Sequence, residues 1–146
     1  MAALWKAVAT LGLLLAAAQA QAEFVSIKGN QVNIRQAPST QSDVTWELTK
    51  GYPMQVTQKR GNWFKVKDFE GELGWVYQPL THKQAHYIVK APKANMRTGP
   101  GTQYRKVASL QQHDLLQTME KKNGWVRGKA SNGQIGWISK KLLWGW

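Results

Sequence analysis

Hydrophobic and polar residues alternate with a period of two along most of the chain beyond residue 22, which is typical of short, half-buried β-strands. In the first half the alternating segments are 32–35, 44–48, 54–59, 63–67 and 73–77. Turn signals separate the segments, and Asn123-Gly124 and Asn132-Gly133 are pairs that type I′ hairpin turns favour. No stretch beyond residue 22 has convincing helical periodicity, so the pattern predicts an all-β fold.

The chain also repeats itself at a constant offset of 62 residues. Without gaps, 14 of the 50 positions from Gln31 to Leu80 carry the same residue 62 positions later, where typical composition gives about 3. We therefore predict two copies of one unit, at 23–82 and 83–146. Each copy is so small that its stability would be marginal without the other copy. The predicted linker, Thr81 to Gln84, is too short to let the copies separate far.

Five short strands and one long early loop in each copy predict a small, partly open β-barrel. The segment from Ala94 to Tyr104 resembles the signature loop of bacterial SH3-like domains, and Gly124–Lys129 and Gly136–Ile138 fall at that family's other landmarks. The resemblance covers nearly all of the chain beyond residue 22. It implies two tandem SH3-like barrels and a role in binding peptidoglycan or peptides.

The first copy departs from this loop pattern. Ala37 and Ser39 stand where the second copy has Gly99 and Gly101, so we expect a stiffer loop in the first copy.

The first 22 residues have the pattern of a signal peptide. Lys6 precedes an apolar stretch from Ala7 to Ala18, which is too short for a comfortable membrane span. Small-residue cleavage motifs follow, and cleavage after Ala22 is favoured over cleavage after Ala20. The alternative is an uncleaved N-terminal anchor. We expect the mature protein to be exported, with a periplasmic location.

Charge narrows the class of partner. The chain has 20 basic and 8 acidic residues, a net charge of +12 that becomes +11 without Lys6. Such an excess favours an anionic partner or surface. The chain has no cysteine, which excludes disulfides, Cys-based zinc sites and a cysteine nucleophile.

Aromatic and cationic side chains form the candidate binding groove. Trp63 and Trp125 each begin a strand in which two cations share the tryptophan's face, an arrangement that suits a sugar ring or peptide bearing carboxylates. The alternative is a tryptophan that only covers the end of the barrel. The candidate residues are Trp63, Lys65, Lys67, Trp75, Tyr104, Trp125, Arg127, Lys129 and Trp137.

Other residues have a structural interpretation. Trp75 and Trp137 line a groove or pack between the copies, and Trp144 and Trp146 are expected to pack onto the second barrel or the seam between the copies. Repetition at Arg35 and Arg97 suggests hydrogen bonds to carbonyls of the long loop, and Asn33 and Asn95 suit local backbone hydrogen bonds. Trp46 has no aromatic counterpart, because Ala108 occupies that position.

Nothing in the sequence identifies an enzyme. His82 and His86 lack an evident third metal ligand, the scarce carboxylates form no supported pair for glycoside cleavage, and no nucleophile elbow or phosphate loop occurs. We therefore predict no catalytic residue, metal or cofactor.

The leading hypothesis is non-catalytic recognition of cell-envelope material, most directly peptidoglycan or its peptides. A protein–protein module that docks an envelope partner is the alternative. Small basic barrels also bind single-stranded nucleic acid, but the export signal argues against that partner.

Overall fold

The computed structural model describes residues 23–146, so the predicted signal peptide lies outside the described residues. Two seven-stranded sheets account for this part of the chain, and its only helical elements are two 3₁₀ turns at Gln78–Leu80 and Lys140–Leu142. The prediction of an all-β fold is confirmed. None of the helices in residues 23–146 is long and apolar enough to cross a membrane.

The first sheet contains β1 (Glu23–Ile27), β2 (Gln31–Arg35), β3 (Val44–Thr49), β4 (Pro53–Arg60), β5 (Trp63–Lys67), β6 (Leu73–Tyr77) and β7 (Thr81–His82). The second contains β8 (His86–Val89), β9 (Lys93–Arg97), β10 (Lys106–Gln111), β11 (Leu115–Lys122), β12 (Trp125–Ala130), β13 (Ile135–Ser139) and β14 (Leu143–Gly145). Their orders, β3-β2-β6-β5-β4-β1-β7 and β10-β9-β13-β12-β11-β8-β14, are equivalent strand for strand. The offset of 62 residues is therefore a repeat of topology as well as of sequence.

Each sheet has two strands more than the five we predicted. The additional strands are β1 and β7 in the first sheet and β8 and β14 in the second. Part of the predicted linker belongs to the first sheet, since Thr81 and His82 pair with Ile27 and Ser26. Pairing at this edge satisfies backbone groups that a linker would leave to water.

A separate hydrophobic cluster fills each sheet. Leu48, near one edge of the first sheet, and Val25, near the other, belong to the same cluster, so the sheet must curl around its core. The first cluster comprises Val25, Ile27, Val32, Ile34, Leu48, Met54, Phe64, Val66 and Val76. The second comprises Tyr87, Val89, Ala94, Met96, Leu110, Leu116, Val126, Ala130, Ile138 and Leu143. Trp46 packs against the first cluster and Ala108 against the second, so this difference lies in core packing.

Aromatic residues join the two copies. The ring of Phe24, on β1, lies 5.1 Å from that of Trp144 in an edge-on contact and 5.6 Å from that of Trp146 in a stacked one. Strand β14 pairs with β8, so the two tryptophans extend from the second sheet to the first. This contact is the packing expected for Trp144 and Trp146.

Residues near β7 and β8 extend the seam. The imidazole of His86 lies over Gly51, where an added Cβ would be 2.9 Å from the ring. His113 makes an edge contact with Phe69 at 5.4 Å, and its Nε2 lies 3.4 Å from a carboxylate oxygen of Glu70.

Candidate functional site

Strand alternation places the candidate aromatic and cationic residues on the outer face of each sheet. In β5, Phe64 and Val66 enter the core, so Trp63, Lys65 and Lys67 face outward. In β12, Val126 enters the core, so Trp125, Arg127 and Lys129 face outward. Both copies therefore present a tryptophan and two cations along one strand.

Trp75 and Trp137 occupy the centre of the same outer faces. Trp75 is the cross-strand neighbour of Lys65 and Arg35. Trp137 has the equivalent position between Arg127 and Arg97. Each copy thus has a row in which two cations flank a tryptophan across three strands.

Neither of these central tryptophans offers much free ring surface. Trp75 is 7% exposed and Trp137 9%, yet neither belongs to a core cluster. The guanidinium of Arg60 lies 5.5 Å from the ring centroid of Trp75, within the range of a cation–π contact. Both rings therefore present little aromatic surface to solvent.

Glycines on the inner face hold these tryptophans outward. A Cβ at Gly74 would lie 2.3 Å from Ile34 Cγ2, and one at Gly136 would lie 2.4 Å from Met96 Cγ. Both positions lie against the core, so the next residue along the strand faces the opposite side.

The two loop arginines bind backbone carbonyls. Arg35 Nη1 donates to Thr40 O and Ser42 O, both at 2.9 Å. Arg97 Nη1 donates to Tyr104 O at 3.0 Å. Each bond joins the end of a strand to the far side of its long loop, which is the geometry of loop bracing.

Asn95 does not make the expected local hydrogen bond through its side-chain oxygen. Asn95 Oδ1 is buried and has no hydrogen-bond partner among the described residues. This single unsatisfied acceptor is unusual, because buried polar atoms are nearly always hydrogen-bonded.

The environment of the strand-initial tryptophan distinguishes the copies. Trp63 pairs across strands with Tyr77, and their ring centroids lie 5.4 Å apart. Trp125 pairs with Ser139, a much smaller side chain. The aromatic neighbour that covers Trp63 is therefore absent beside Trp125.

A groove opens beside Trp125. Its volume is about 340 Å³, and its lining residues are Lys93, Asn95, Arg97, Thr102, Lys106, Trp125, Ser139 and Leu142. We call this feature the second-copy groove. Of the residues predicted from the sequence, the groove includes two loop residues of β9, Asn95 and Arg97. It includes one predicted binding residue, Trp125 of β12.

Several lining residues escaped the sequence analysis, most importantly Lys93, Lys106 and Ser139. Their counterparts 62 positions earlier are Gln31, Val44 and Tyr77. The signal that could have revealed them is the difference between the aligned copies, because identities between the copies mark only what the copies share.

Tyr104 lies at the edge of the same loop and is exposed. Its ring lies flat over Gly99, where an added Cβ would be 2.5 Å from the ring. In the first copy the corresponding residues are Ala37 and Ser42, and Ser42 Oγ donates to Ala37 O at 2.9 Å. An exposed aromatic ring therefore belongs to the second copy's loop, while a hydroxyl braces the first.

Positive charge is concentrated in the second copy. Residues 86–146 carry 11 basic and 2 acidic side chains, a net charge of +9. Residues 23–85 carry 8 basic and 6 acidic side chains, a net charge of +2. Most of the attraction for an anionic partner therefore comes from the second copy.

The histidines near the seam are engaged in local contacts. Ser26 Oγ donates to Gln84 O at 2.8 Å and also lies 2.7 Å from His82 Nδ1, so His82 donates through Nδ1. His86 Nδ1 lies 2.9 Å from the same carbonyl of Gln84. Within residues 23–146, no three histidines or carboxylates converge as metal ligands.

Burial and neighbouring charges shift a few titratable groups. Burial, with a smaller effect from Asp68 and Glu70, raises the pKa of Tyr52 to about 12. Burial also lowers the pKa of His86. The hydrogen bond from Lys83 lowers the pKa of Glu23.

Comparison with known proteins relates this geometry to a family. The model of the family described as "Bacterial SH3 domain" matches residues 28–83 and again 90–145. The protein of Bacillus subtilis (strain 168) named "Putative N-acetylmuramoyl-L-alanine amidase YrvJ" is 27% identical over 135 residues. The match covers 85% of this chain and 26% of that protein, so the chain spans about a quarter of its relative.

Among solved structures, an NlpC/P60 family protein from Bacillus cereus ATCC 10987 has a TM-score of 0.40 and 15% identity, covering 85% of this chain and 56% of that one. The structure named "Endolysin LysPBC5 CBD" has a TM-score of 0.34 and 16% identity, covering 85% of this chain and 93% of that one. These likenesses are weak, and the assignment rests on the family match in both halves. The chain belongs to the bacterial SH3 domain family, of which it carries two tandem copies.

Proposed function

We propose that this protein is exported and binds cell-envelope material, peptidoglycan or its peptides, without changing it covalently. The observation that carries the proposal is the repeated outer face, in which cations flank a tryptophan in both copies. Cations attract the carboxylates of a wall polymer, and the half-buried rings of Trp63 and Trp125, at the start of the neighbouring strands, can contact its apolar surfaces.

Two further observations support this function. The domain family is one of binding modules, and the curated relative is named for an enzyme whose substrate contains the muramoyl–alanine bond. The chain matches about a quarter of that relative, so the proposal transfers attachment to the wall and no hydrolytic activity.

Sedimentation with purified sacculi tests the proposal. We expect the mature chain, residues 23–146, to pellet with sacculi at low salt and less completely at moderate salt, because salt screens exposed charges. Cytochrome c, a basic protein of similar size, controls for attraction by charge alone. Failure to pellet at any ionic strength, or pelleting no better than cytochrome c, would overturn the proposal.

The same preparation tests the absence of turnover. We expect the turbidity of the sacculi to stay constant and no soluble fragments to appear beyond those of a mock purification. Export is tested separately by fractionation of cells and by N-terminal sequencing of the mature protein, for which we expect Glu23 as the first residue.

A protein partner is the second candidate, and one observation favours it. Leu73, Tyr77 and Leu80 are exposed on the first copy, at 49%, 38% and 40%. Exposed apolar side chains suit contact with a peptide or protein surface. A photo-crosslinker at Tyr77 that captures one dominant envelope protein in cells would favour this function over polymer binding.

A further inference from the structure

We infer that the second-copy groove is the ligand site of this protein, and that it binds a peptide through the peptide's free carboxylate and a small apolar side chain. The inference rests on the proposed function and deepens it by naming the copy, the groove and the chemical class of ligand. The equivalent surface of the first copy has a structural role, because its polar groups bind the loop and edge strand of that copy.

Charge within the groove favours a carboxylate. Lys93, Arg97 and Lys106 line it, and all three are basic. The counterparts in the first copy are Gln31, Arg35 and Val44, so two of the three cations are absent there. The second copy also has Ser109 where the first has Glu47, which removes an acidic side chain from the neighbouring strand.

Asn95 contributes to the lining of the groove, and its Oδ1 is buried without a hydrogen-bond partner among the described residues. The surrounding protein covers this oxygen, so it is not a contact for the ligand. An unpaired buried acceptor lowers stability, which indicates that Asn95 is not placed there for stability.

Apolar walls complete the complementarity. Trp125 and Leu142 line the groove beside the polar groups, and Ser139 leaves the Trp125 ring without the aromatic cover that Tyr77 gives Trp63. A small apolar side chain of the peptide fits against these walls. The volume, about 340 Å³, lies at the lower end of ligand sites in proteins, which suits a short peptide segment.

The equivalent surface of the first copy is engaged with itself. Gln31 Nε2 donates to a carboxylate oxygen of Glu47. Arg35 donates to two loop carbonyls through a single nitrogen, where Arg97 donates to one. In the first copy these polar groups therefore form hydrogen bonds within the copy, to its own loop and edge strand.

Asn95 provides the sharpest test, because stability and binding are expected to respond oppositely. Asn95→Leu replaces the unpartnered amide with an apolar group of similar size, so we expect the midpoint of urea unfolding to stay constant or rise. We expect its affinity for N-acetyl-trialanine with a free carboxylate to fall at least about tenfold. Asn33→Leu, the matched change in the first copy, should leave affinity within about twofold.

A pair of double variants that lower the net charge by the same amount tests the cations of the groove. Lys93→Gln/Lys106→Gln should weaken N-acetyl-trialanine binding at least about tenfold, whereas Lys90→Gln/Lys141→Gln, which removes two exposed cations outside the groove, should change it less than about twofold. Binding is followed by two-dimensional NMR of the side-chain amides and tryptophan indoles. Resonances of Asn95 and Trp125 should shift, and those of Asn33 and Trp63 should not.

Two further ligands identify the recognised groups. N-acetyl-trialanine amide lacks the carboxylate and should bind at least about tenfold more weakly than the free acid. Inorganic phosphate should compete with the peptide only weakly, because it has no apolar group to contact Trp125 and Leu142. Equal binding of acid and amide, or tighter binding of phosphate than of peptide, would contradict the inference.

The outcomes separate this inference from the proposed function. If the wild-type chain pellets with sacculi and the groove variants pellet equally well, the inference is wrong and the proposed function stands. If the peptide shifts map to the first copy, or if both double variants lose affinity alike, the inference is also wrong. If the wild-type chain fails to pellet at all, the proposed function itself is wrong.

Discussion

At the scale of single residues, one difference between the long loops of the two copies is a methyl group, because Ala37 stands where the second copy has Gly99. Gly99 lies beneath the ring of Tyr104, whereas Ala37 lies beside Ser42, whose hydroxyl binds the Ala37 carbonyl. The two positions differ together, because a Cβ at residue 99 would lie 2.5 Å from the tyrosine ring. A ring over glycine and a hydroxyl over alanine are two solutions for closing one loop.

This pairing predicts the effect of Gly99→Ala. The methyl group should displace the Tyr104 ring without disturbing the core, so the free energy of unfolding should fall by about 1 kcal/mol or less. The ring-proton shifts of Tyr104 should move toward those of a solvated tyrosine, as measured by NMR. The double variant Gly99→Ala/Tyr104→Ser should recover the lost stability, and a failure to recover would mean that the two positions are independent.

Sequence alternation was sufficient to assign many side chains to a face. It placed Phe64 and Val66 inward and Trp63, Lys65 and Lys67 outward, and the structure has them so. It could not predict that Tyr77 covers Trp63, because this contact depends on the register between two strands. The unpartnered oxygen of Asn95 was equally hidden, since its satisfaction depends on every neighbour at once.

At the scale of strands and turns, the sequence indicated where tight turns lie but did not indicate the last strand, which forms by pairing with a distant strand. Asn123 and Gly124 both have positive φ, 50° and 82°, as a type I′ turn requires. At Asn132-Gly133 only the glycine does, at 88°, because Asn132 Oδ1 accepts from the Gln134 amide and closes a longer turn. Strand β14 carried no signal, because three residues show no period and its stability comes from pairing with β8.

Strand β14 depends on glycine at one position, which gives a second prediction. Gly145 has a φ of 143°, and an added Cβ would lie 2.1 Å from the backbone oxygen of His86. Gly145→Ala should therefore separate β14 from β8 and lower the free energy of unfolding by about 2–3 kcal/mol. Urea denaturation measures the change.

Gly133→Ala is the matched control for backbone strain. Gly133 also has a positive φ, but no atom lies within 4 Å of its added Cβ. Its cost should be limited to strain, about 1 kcal/mol. Equal losses in the two variants would show that the contact with His86 is unimportant.

At the scale of the whole molecule, aromatic contacts join the copies at the seam, which also contains the partly buried His86. Burial lowers the pKa of His86, with smaller effects from the neighbouring charges of His82 and Lys50. The folded chain therefore resists protonation more than the unfolded chain. As the pH falls through 6.5, the ordinary value, the unfolded chain takes up the proton first, and the folded state loses stability.

We accordingly expect the free energy of unfolding to be lower at about pH 5.5 than at about pH 7.5. His86→Gln, which cannot titrate, should reduce this dependence, and parallel urea titrations at the two pH values measure it. His113→Gln controls for the other histidine at the seam, which contacts Glu70. An undiminished pH dependence in His86→Gln would assign the effect to other groups.

Sequence repetition predicted the tandem architecture but not the division of labour within it. A search for identities finds what the copies share, which is the scaffold: the inward residues, the bracing arginines and the turn glycines. The asymmetry lies at positions such as Lys93, Lys106 and Ser139, where the copies disagree. Only the assembled sheet shows that these scattered differences border one groove.

The stack of Phe24 on Trp146 has a consequence for the path of the chain. Phe24 follows the first described residue and Trp146 is the last, so the two extremities lie side by side although 121 residues separate them. The described part of the backbone, residues 23–146, therefore nearly closes on itself. A circular permutant of residues 23–146 that joins Trp146 to Glu23 and opens at an exposed hairpin would keep its strand pairs.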